Sequence, residues 1–578
     1  MPNHYVLFFV LCWTTSSFAQ SYYVCQSCGN ANDSNPGTLA SPWKTIGRSC
    51  QAGAVLPGST VYIRSGTYYE KLTVNVAGAQ NQPITFRPYN TDLVRVDGGS
   101  AAGVLLAIRN KSYLIIDGLT FQNAIGSNSD GIQISGNAQS ITIKNCTINT
   151  IAFDATLNTP TNASLHNAHG ILVKGDDPVN PISNFLMQGN TINQIKPGYS
   201  EGITFVGNID NFQVLDNIVS NIANIGMVFA GYYSWACPSC PQTATTQNQA
   251  RRGTISRNQV ISCRGPLAFA AGIYADGSKD LVIEGNVVRD CQRGIQINCE
   301  NPSSIAGASA SNISIRNNLI YKNSRAGLGL GSHSYSTNLG KVTSCSVVNN
   351  SLFDNFIDRP EATATTNEDF GEMTLSYSEN CVVENNIFHA GNRQRLLNSY
   401  DTPASVNLRF NYNLWFTNNA NPFWVLFSSV YYGLNAFRTG TGQEANGAFG
   451  NPAFVSTSPG INLALTSTSA AINLGNPAAT SALAGSLDYS QQARFRAGRI
   501  DAGAYEYPKP VLSIASGSWH TTNSWDCGCI PTRFDLVQIQ SGHTISINSG
   551  NGTAQAQQLT LRGRLQYVNA GRLQLAIP

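Results

Sequence analysis

Apolar and polar residues alternate in short runs through the middle of the chain, and the runs recur. HGILVKG at 169–175, EGITFVG at 201–207, IGMVFAG at 225–231, AGIYADG at 271–277, RGIQINC at 293–299 and AGLGLGS at 326–332 share one phrase, a glycine followed by four or five alternating positions. A period of two predicts β-strands with one face turned into a core and one turned out. Polar turns and further short β runs separate these phrases, and helical periodicity is absent. An asparagine introduces one further run each time, at Asn190, Asn217, Asn258, Asn286, Asn318, Asn350, Asn386 and Asn413.

Two marks that recur in phase at a few tens of residues predict a solenoid. One coil cannot bury its apolar face alone, so stacked coils must build the core together. Stacked asparagine amides would satisfy turn backbone groups that burial otherwise leaves unpaired. The expected fold is all-β, a right-handed parallel β-helix. A β-propeller is the rival, but its blades should be more even in length. Within each phrase Ile171, Ile203, Met227, Ile273, Ile295 and Leu328 point inward. One outward column reads Leu172, Thr204, Val228, Tyr274, Gln296, Gly329, and the next reads Lys174, Val206, Ala230, Asp276, Asn298, Gly331. With coils about 4.8 Å apart, the second column sets Asp276 beside Asn298 with small residues on either side, a polar floor with room above it.

Composition narrows the function. Charged residues are 12% of the 578, Gly numbers 52, and 35 basic residues against 32 acidic leave a net charge of +3. That balance excludes a long coiled coil and gives no electrostatic footprint for nucleic acid. Residues 5–13, YVLFFVLCW, followed by Ser17-Phe18-Ala19, read as an export signal, residues 1–19, cleaved before Gln20. No later run has the roughly 18 apolar residues of a membrane helix. The expected product is a monomer, secreted or held at a bacterial cell surface. Of 14 Cys, 13 remain after cleavage, so at least one thiol stays unpaired. Cys25-x-x-Cys28 and Cys237-x-x-Cys240 suit disulfides or a metal clip. Cys146, Cys263, Cys291, Cys345 and Cys381 lie in or beside apolar strands and read as buried hydrophobes.

The segments GNANDSNPGTLASPWKTIG at 29–47 and GSTVYIRSGTYYEKLTV at 58–74 carry a further signal. With them, residues 24–420 resemble secreted β-helix proteins of the pectate-lyase and polysaccharide-lyase type, family 9 among them. The dense Asp cluster of family 9 is not visible, and Val228 and Ala271 stand where related β-helix proteins carry further acids. Residues 420–510 resemble a closing segment, which gives domains of 20–510 and 511–578. The latter resembles a small β module of gliding-type bacteria, with Trp519 and Trp525 as sugar platforms or, preferably, core.

The resemblance implies a polysaccharide lyase acting on an acidic, uronic-acid substrate by β-elimination. Lys174, Arg251 and Asp276 are the candidate catalytic residues. Tyr274, Gln296, Asn298 and Arg252 would bind substrate, and Glu201, Asp276 and Glu300 would hold Ca²⁺, a hard ion that wants six to eight oxygens. Glu201 precedes its strand and Glu300 follows its own, so both meet Asp276 only if their turns fold over the same face. His166 and His169 are expected to be structural. Two alternatives stand beside the lyase: a glycoside hydrolase on the same face, whose two carboxylates flank the bond, and a non-catalytic carbohydrate-binding or adhesive surface protein.

Overall fold

The computed structural model describes residues 19–154, 167–266, 269–300, 305–331, 340–358, 370–399, 405–495, 500–508, 510–533 and 535–575. Residues 1–18 of the expected export signal, 1–19, and His166 lie outside the described residues. The chain winds as a parallel β-helix. A representative coil runs through Ile182–Gln188, Thr191–Lys196 and Ile203–Gly207, and the next begins at Ile209–Leu215. Among the described residues the stacked coils build three long sheets of 15, 13 and 13 strands.

The interior follows the alternation. Ile171, Ile203, Met227, Ile273, Ile295 and Leu328 are register partners in sequence and fully buried. Phe205 and Phe229 stack beside them with ring centroids 5.3 Å apart. The asparagines form an unbroken ladder. Asn190, Asn217, Asn258, Asn286, Asn318, Asn350 and Asn386 each donate Nδ2 to the Oδ1 of the next at 2.9–3.0 Å. The same Oδ1 accepts the backbone N–H of the preceding asparagine, as Asn258 Oδ1 does from Asn217 at 3.0 Å. The residue before each ladder asparagine is left-handed, from Gly189 (φ 66°) and Asp216 (57°) to Asn385 (58°) and Tyr412 (57°). Gly, Asn and Asp tolerate that region best, which explains the Asn-Asn pairs at 317–318, 349–350 and 385–386.

A second, shorter ladder runs from the Cys291 N–H through Asn323 and Asn355 to Glu372. The long ladder likewise ends on a carboxylate, since Asn413 donates to Glu444 at 2.7 Å and Trp415 Nε1 donates to it at 3.0 Å. Burial pushes Glu372 up to about 8 and Glu444 up to about 7 from an ordinary 4.5. The folded chain therefore keeps protons on these acids that the unfolded chain has released. Stability is expected to fall as pH rises from about 4.5 to about 8, by up to about 8 kcal/mol for the pair, and to level off above. Thermal unfolding between pH 4 and 9 checks this. Glu444→Gln, which retains an amide oxygen for Asn413 and Trp415, should flatten the slope, and an unchanged slope would refute the assignment.

The far end closes with the helix Leu434–Thr441, whose buried Phe437 stacks on Trp424 at 5.8 Å. The chain then returns along the coils. Fully buried Arg494 bonds Glu506 at 2.7 Å and reaches Asn317 Oδ1. Residues beyond 510 form short sheets around their own core, in which Trp519 and Trp525 are buried and meet edge to face at 5.1 Å. They are packing residues and cannot serve as exposed sugar platforms. Cys25–Cys28 and Cys237–Cys240 are disulfides, which removes the metal-clip alternative, and Cys527–Cys529 forms a third. The five strand cysteines are buried free thiols, as are Cys50 and Cys299. Among the described residues no helix is long and apolar enough to cross a membrane.

Candidate active site

One sheet turns its outer face into a cleft. Its strands include Ser129–Ser135, Ala168–Gly175, Ile203–Gly207, Met227–Ala230, Ala271–Asp276 and Arg293–Asn298. Over them lies a cavity of about 1300 Å³. The register aligns the first outward column as the alternation requires, Leu172 with Thr204, Val228, Tyr274 and Gln296 on successive coils. In the second, Lys174 meets Val206 and Ala230, and Asp276 meets Asn298, but Ala230 bridges Gly277 where the column would have Asp276. A third column lies upstream. Asp130 pairs with His169, and His169 precedes Ile171 by two residues just as Glu201 precedes its partner Ile203. Asp130, His169 and Glu201 thus follow one another up the face.

The floor is not polar as the columns suggested. Leu172, Val206, Val228, Ala230, Ala271 and Tyr274 form an outward-facing apolar cluster with Ala236. The insertion 231–250 folds back over these residues and shields them, which alternation along a strand cannot reveal. The polar groups stand around this floor, and rings of Tyr199, Trp235 and Phe269, about half exposed, stand at the rim.

Glu201, Asp276 and Glu300 all reach the cavity. Asp276 is 2% exposed. Its Oδ1 accepts the Glu300 backbone N–H at 2.7 Å, and its Oδ2 accepts the Tyr233 hydroxyl. Burial, then the Glu300 charge, push the Asp276 carboxyl up to about 7. Glu300 accepts the Tyr274 hydroxyl, which also accepts Asn298 Nδ2 at 2.9 Å. Glu201 accepts the Thr204 hydroxyl at 2.7 Å. Burial raises its carboxyl above the usual range; His169 and Thr204 oppose the rise and Glu300 adds to it. His169 Nδ1 lies 2.9 Å from Asp130 Oδ1, while Gln133 donates to Asp130 Oδ2 at 3.0 Å. Burial disfavours the imidazolium, yet Asp130 and Glu201 outweigh it and hold His169 above its ordinary value.

These residues sit in a chain with recognisable kin. The family described as a right handed beta helix region matches residues 89–359. Over 443 residues the chain is 30% identical to the uncharacterized protein YwoF of Bacillus subtilis (strain 168), covering 74% of this chain and 87% of that protein. The chain belongs to this right-handed β-helix family. Among solved structures it is similar to the GH136 lacto-N-biosidase from Eubacterium ramulus, at 14% identity, TM-score 0.43, and 74% and 68% coverage of this chain and that one. It is also similar to pectate lyase Pel9A, at 16% identity, TM-score 0.42, and 85% and 97% coverage. Neither likeness bears on activity.

Within the β-helix, two of the residues expected at the site lie elsewhere. Arg251 and Arg252 do not line the cavity. Both bond Asp210, and Arg251 also donates to the Gln247 carbonyl at 2.8 Å. The insertion returns the chain onto the neighbouring sheet at Ala250–Ser256, where Arg251 pairs in register with Asp210, so its charge is committed there. Lys174 does line the cavity, its Nζ 5.4 Å from the Trp235 ring centre. It is three coils from Asp276, about 14 Å of stacking. Tyr274, Gln296 and Asn298 line the cavity as expected, although Gln296 is tied to the Gly331 carbonyl at 2.8 Å.

The sequence reading missed Tyr233, Trp235, Arg293 and the Asp130–His169 pair. The pair was legible, since His169 opens its phrase where Glu201 opens the next. Tyr233 and Trp235 lie in an insertion without repeat pattern, and nothing local places them over Asp276.

Ca²⁺ fits this donor set poorly. Both Asp276 oxygens and one Glu300 oxygen already accept protein hydrogens, which leaves few of the six to eight oxygens the ion needs. Among the described residues no group of three or more His, Cys, Asp or Glu side chains is arranged to hold a metal.

Proposed function

We propose that this protein hydrolyses glycosidic bonds, with Asp276 as the proton donor and Glu201 as the base that activates water. One observation carries the reading: Asp276, enclosed at 2% exposure and so pushed up to about 7, shares a cleft with a second carboxylate, Glu201. Burial raises both carboxyls, and the His169 charge and the Thr204 hydroxyl favour the ionised form of Glu201, which gives Glu201 the base role. Glu201 and Asp276 are two coils apart, from Ile203 through Met227 to Ile273. The stacking alone, two coils of about 4.8 Å, exceeds the roughly 5–5.5 Å of a retaining pair, so inversion is the outcome this separation leaves. The apolar floor and aromatic rim suit the faces of sugar rings. The leader-like segment at 5–19 suits work outside the cell.

β-Elimination has less support. It needs a base and cationic charge at one uronate; Lys174 is about 14 Å along the stack and Arg251 is paired with Asp210 on another sheet, which leaves Arg293, one coil from Asp276, as the cation at hand.

The test incubates the protein with a panel of neutral and acidic glycans, with and without EDTA. Reducing ends should appear without absorbance near 235 nm and at equal rate in EDTA, and the product anomer should be inverted. A rise near 235 nm would replace hydrolysis by elimination, and dependence on Ca²⁺ would overturn the metal-free chemistry. Binding without new reducing ends would make the cleft a recognition surface.

A further inference from the structure

The insertion 231–250 separates two neighbouring coils, Met227–Ala230 from Ala250–Ser256. Its two legs are tied where they leave the body. The Gly231 N–H donates to the Asp276 carbonyl at 2.8 Å, and the Tyr232 N–H donates to Asn248 at 2.7 Å. Asn248 Nδ2 donates back to the Tyr233 carbonyl at 3.0 Å, and Gln249 Nε2 reaches the Gly277 carbonyl at 2.7 Å. Beyond these ties the excursion forms no strand, and its own closure is the buried Cys237–Cys240 disulfide. From this frame the Tyr233 hydroxyl meets Asp276 Oδ2, and Trp235 leans over the cleft toward Lys174.

We propose that Tyr233 is a positioning residue for the Asp276 carboxyl, and that the Cys237–Cys240 disulfide holds it in place, making the insertion a working part of the site. The inference deepens the hydrolase reading but is measured without turnover. Groups from every neighbouring element face Asp276: Tyr233 from the insertion, Tyr274 from its own strand, Cys299 and Glu300 past the next strand, and Glu201 two coils back. Of these, Tyr233 and the Glu300 N–H donate to its oxygens. Burial, with Asp276 and Glu300 nearby, raises the Tyr233 hydroxyl well above its usual 10, so it stays a donor when Asp276 ionises. Its bond favours the ionised carboxylate and holds down a value that burial and Glu300 raise.

The experiment titrates ¹³C-aspartate-labelled full-length protein by infrared or NMR, with the Asp276 signal assigned by its loss in Asp276→Asn. Tyr233→Phe should move the midpoint from about 7 upward by roughly one pH unit. The double variant Cys237→Ser, Cys240→Ser should move it in the same direction while the circular dichroism of the β-helix is retained. Adding Tyr233→Phe to that variant should give no further shift. An unmoved midpoint in Tyr233→Phe overturns the role of Tyr233, and an unmoved or additive shift in the disulfide variants overturns the clamp. The expected shifts in a protein that cleaves no glycan would uphold the positioning role and remove the hydrolase reading.

Discussion

Asp276→Asn is expected to lower glycan turnover about 10²–10⁴-fold, the share a positioned general acid contributes, with little change in substrate affinity. The amide oxygen can still accept the Glu300 N–H, as Asp276 Oδ1 does at 2.7 Å. What is lost is the transferable proton. The side chain is buried, so the neutral amide replaces a carboxyl that is itself neutral over much of the working range, and folding should be spared. In the unmodified protein the rate should fall as pH rises through about 7, where Asp276 loses its proton. It should also fall at low pH, where Glu201 gains one, and that limb should lie above the ordinary Glu range because burial raises Glu201. Initial rates of reducing-end release between pH 4 and 9, for both proteins, decide the matter. A variant as fast as its parent would remove Asp276 from the chemistry.

The second large effect concerns the fold. Asn286→Ala should destabilise the β-helix by about 3–5 kcal/mol, given about 1–3 kcal/mol for each buried group left unpaired. Asn286 Oδ1 accepts from both the backbone and the side chain of Asn258, at 2.9 and 3.0 Å. Its Nδ2 donates to the Ile255 carbonyl and to Asn318 at 3.0 Å each. Alanine ends all four bonds at a fully buried site that water does not reach. Asn418 is the control, because its Nδ2 donates to Asn392 Oδ1 on the exposed surface at 3.2 Å. Its removal should cost less than about 0.5 kcal/mol, as surface substitutions do. Equal losses at both positions in denaturant unfolding would refute a special role for the buried ladder.

Much of this architecture could be read from residues alone. Alternation within HGILVKG, EGITFVG and AGIYADG assigned the inward and outward columns, and the register upheld the inward and first outward ones throughout and the second except between Ala230 and Asp276. The recurring asparagine marked one turn of every coil and led to the ladder. The second ladder escaped notice because it has only Asn323 and Asn355 before it ends on Glu372. Arg251 was misplaced because adjacency to an insertion does not say onto which sheet the chain returns. Glu201 and Glu300 were left conditional because they lie outside their strands, where alternation no longer dictates direction.

The division has a physical cause. Strand faces, stacked cores and the asparagine turn follow from short-range rules that each coil repeats, so a single chain displays them many times. The chemistry of the cleft depends on groups that meet once. Tyr233 lies 43 residues from the Asp276 it bonds, and His169 lies 39 from Asp130. The proton held by Asp276 is a property of enclosure: the same side chain on an open coil would ionise near 3.8. Only the course of the insertion over the sheet, which encloses that carboxyl, and the turn after the next strand, which sets Glu300 beside it, make it an acid at neutral pH.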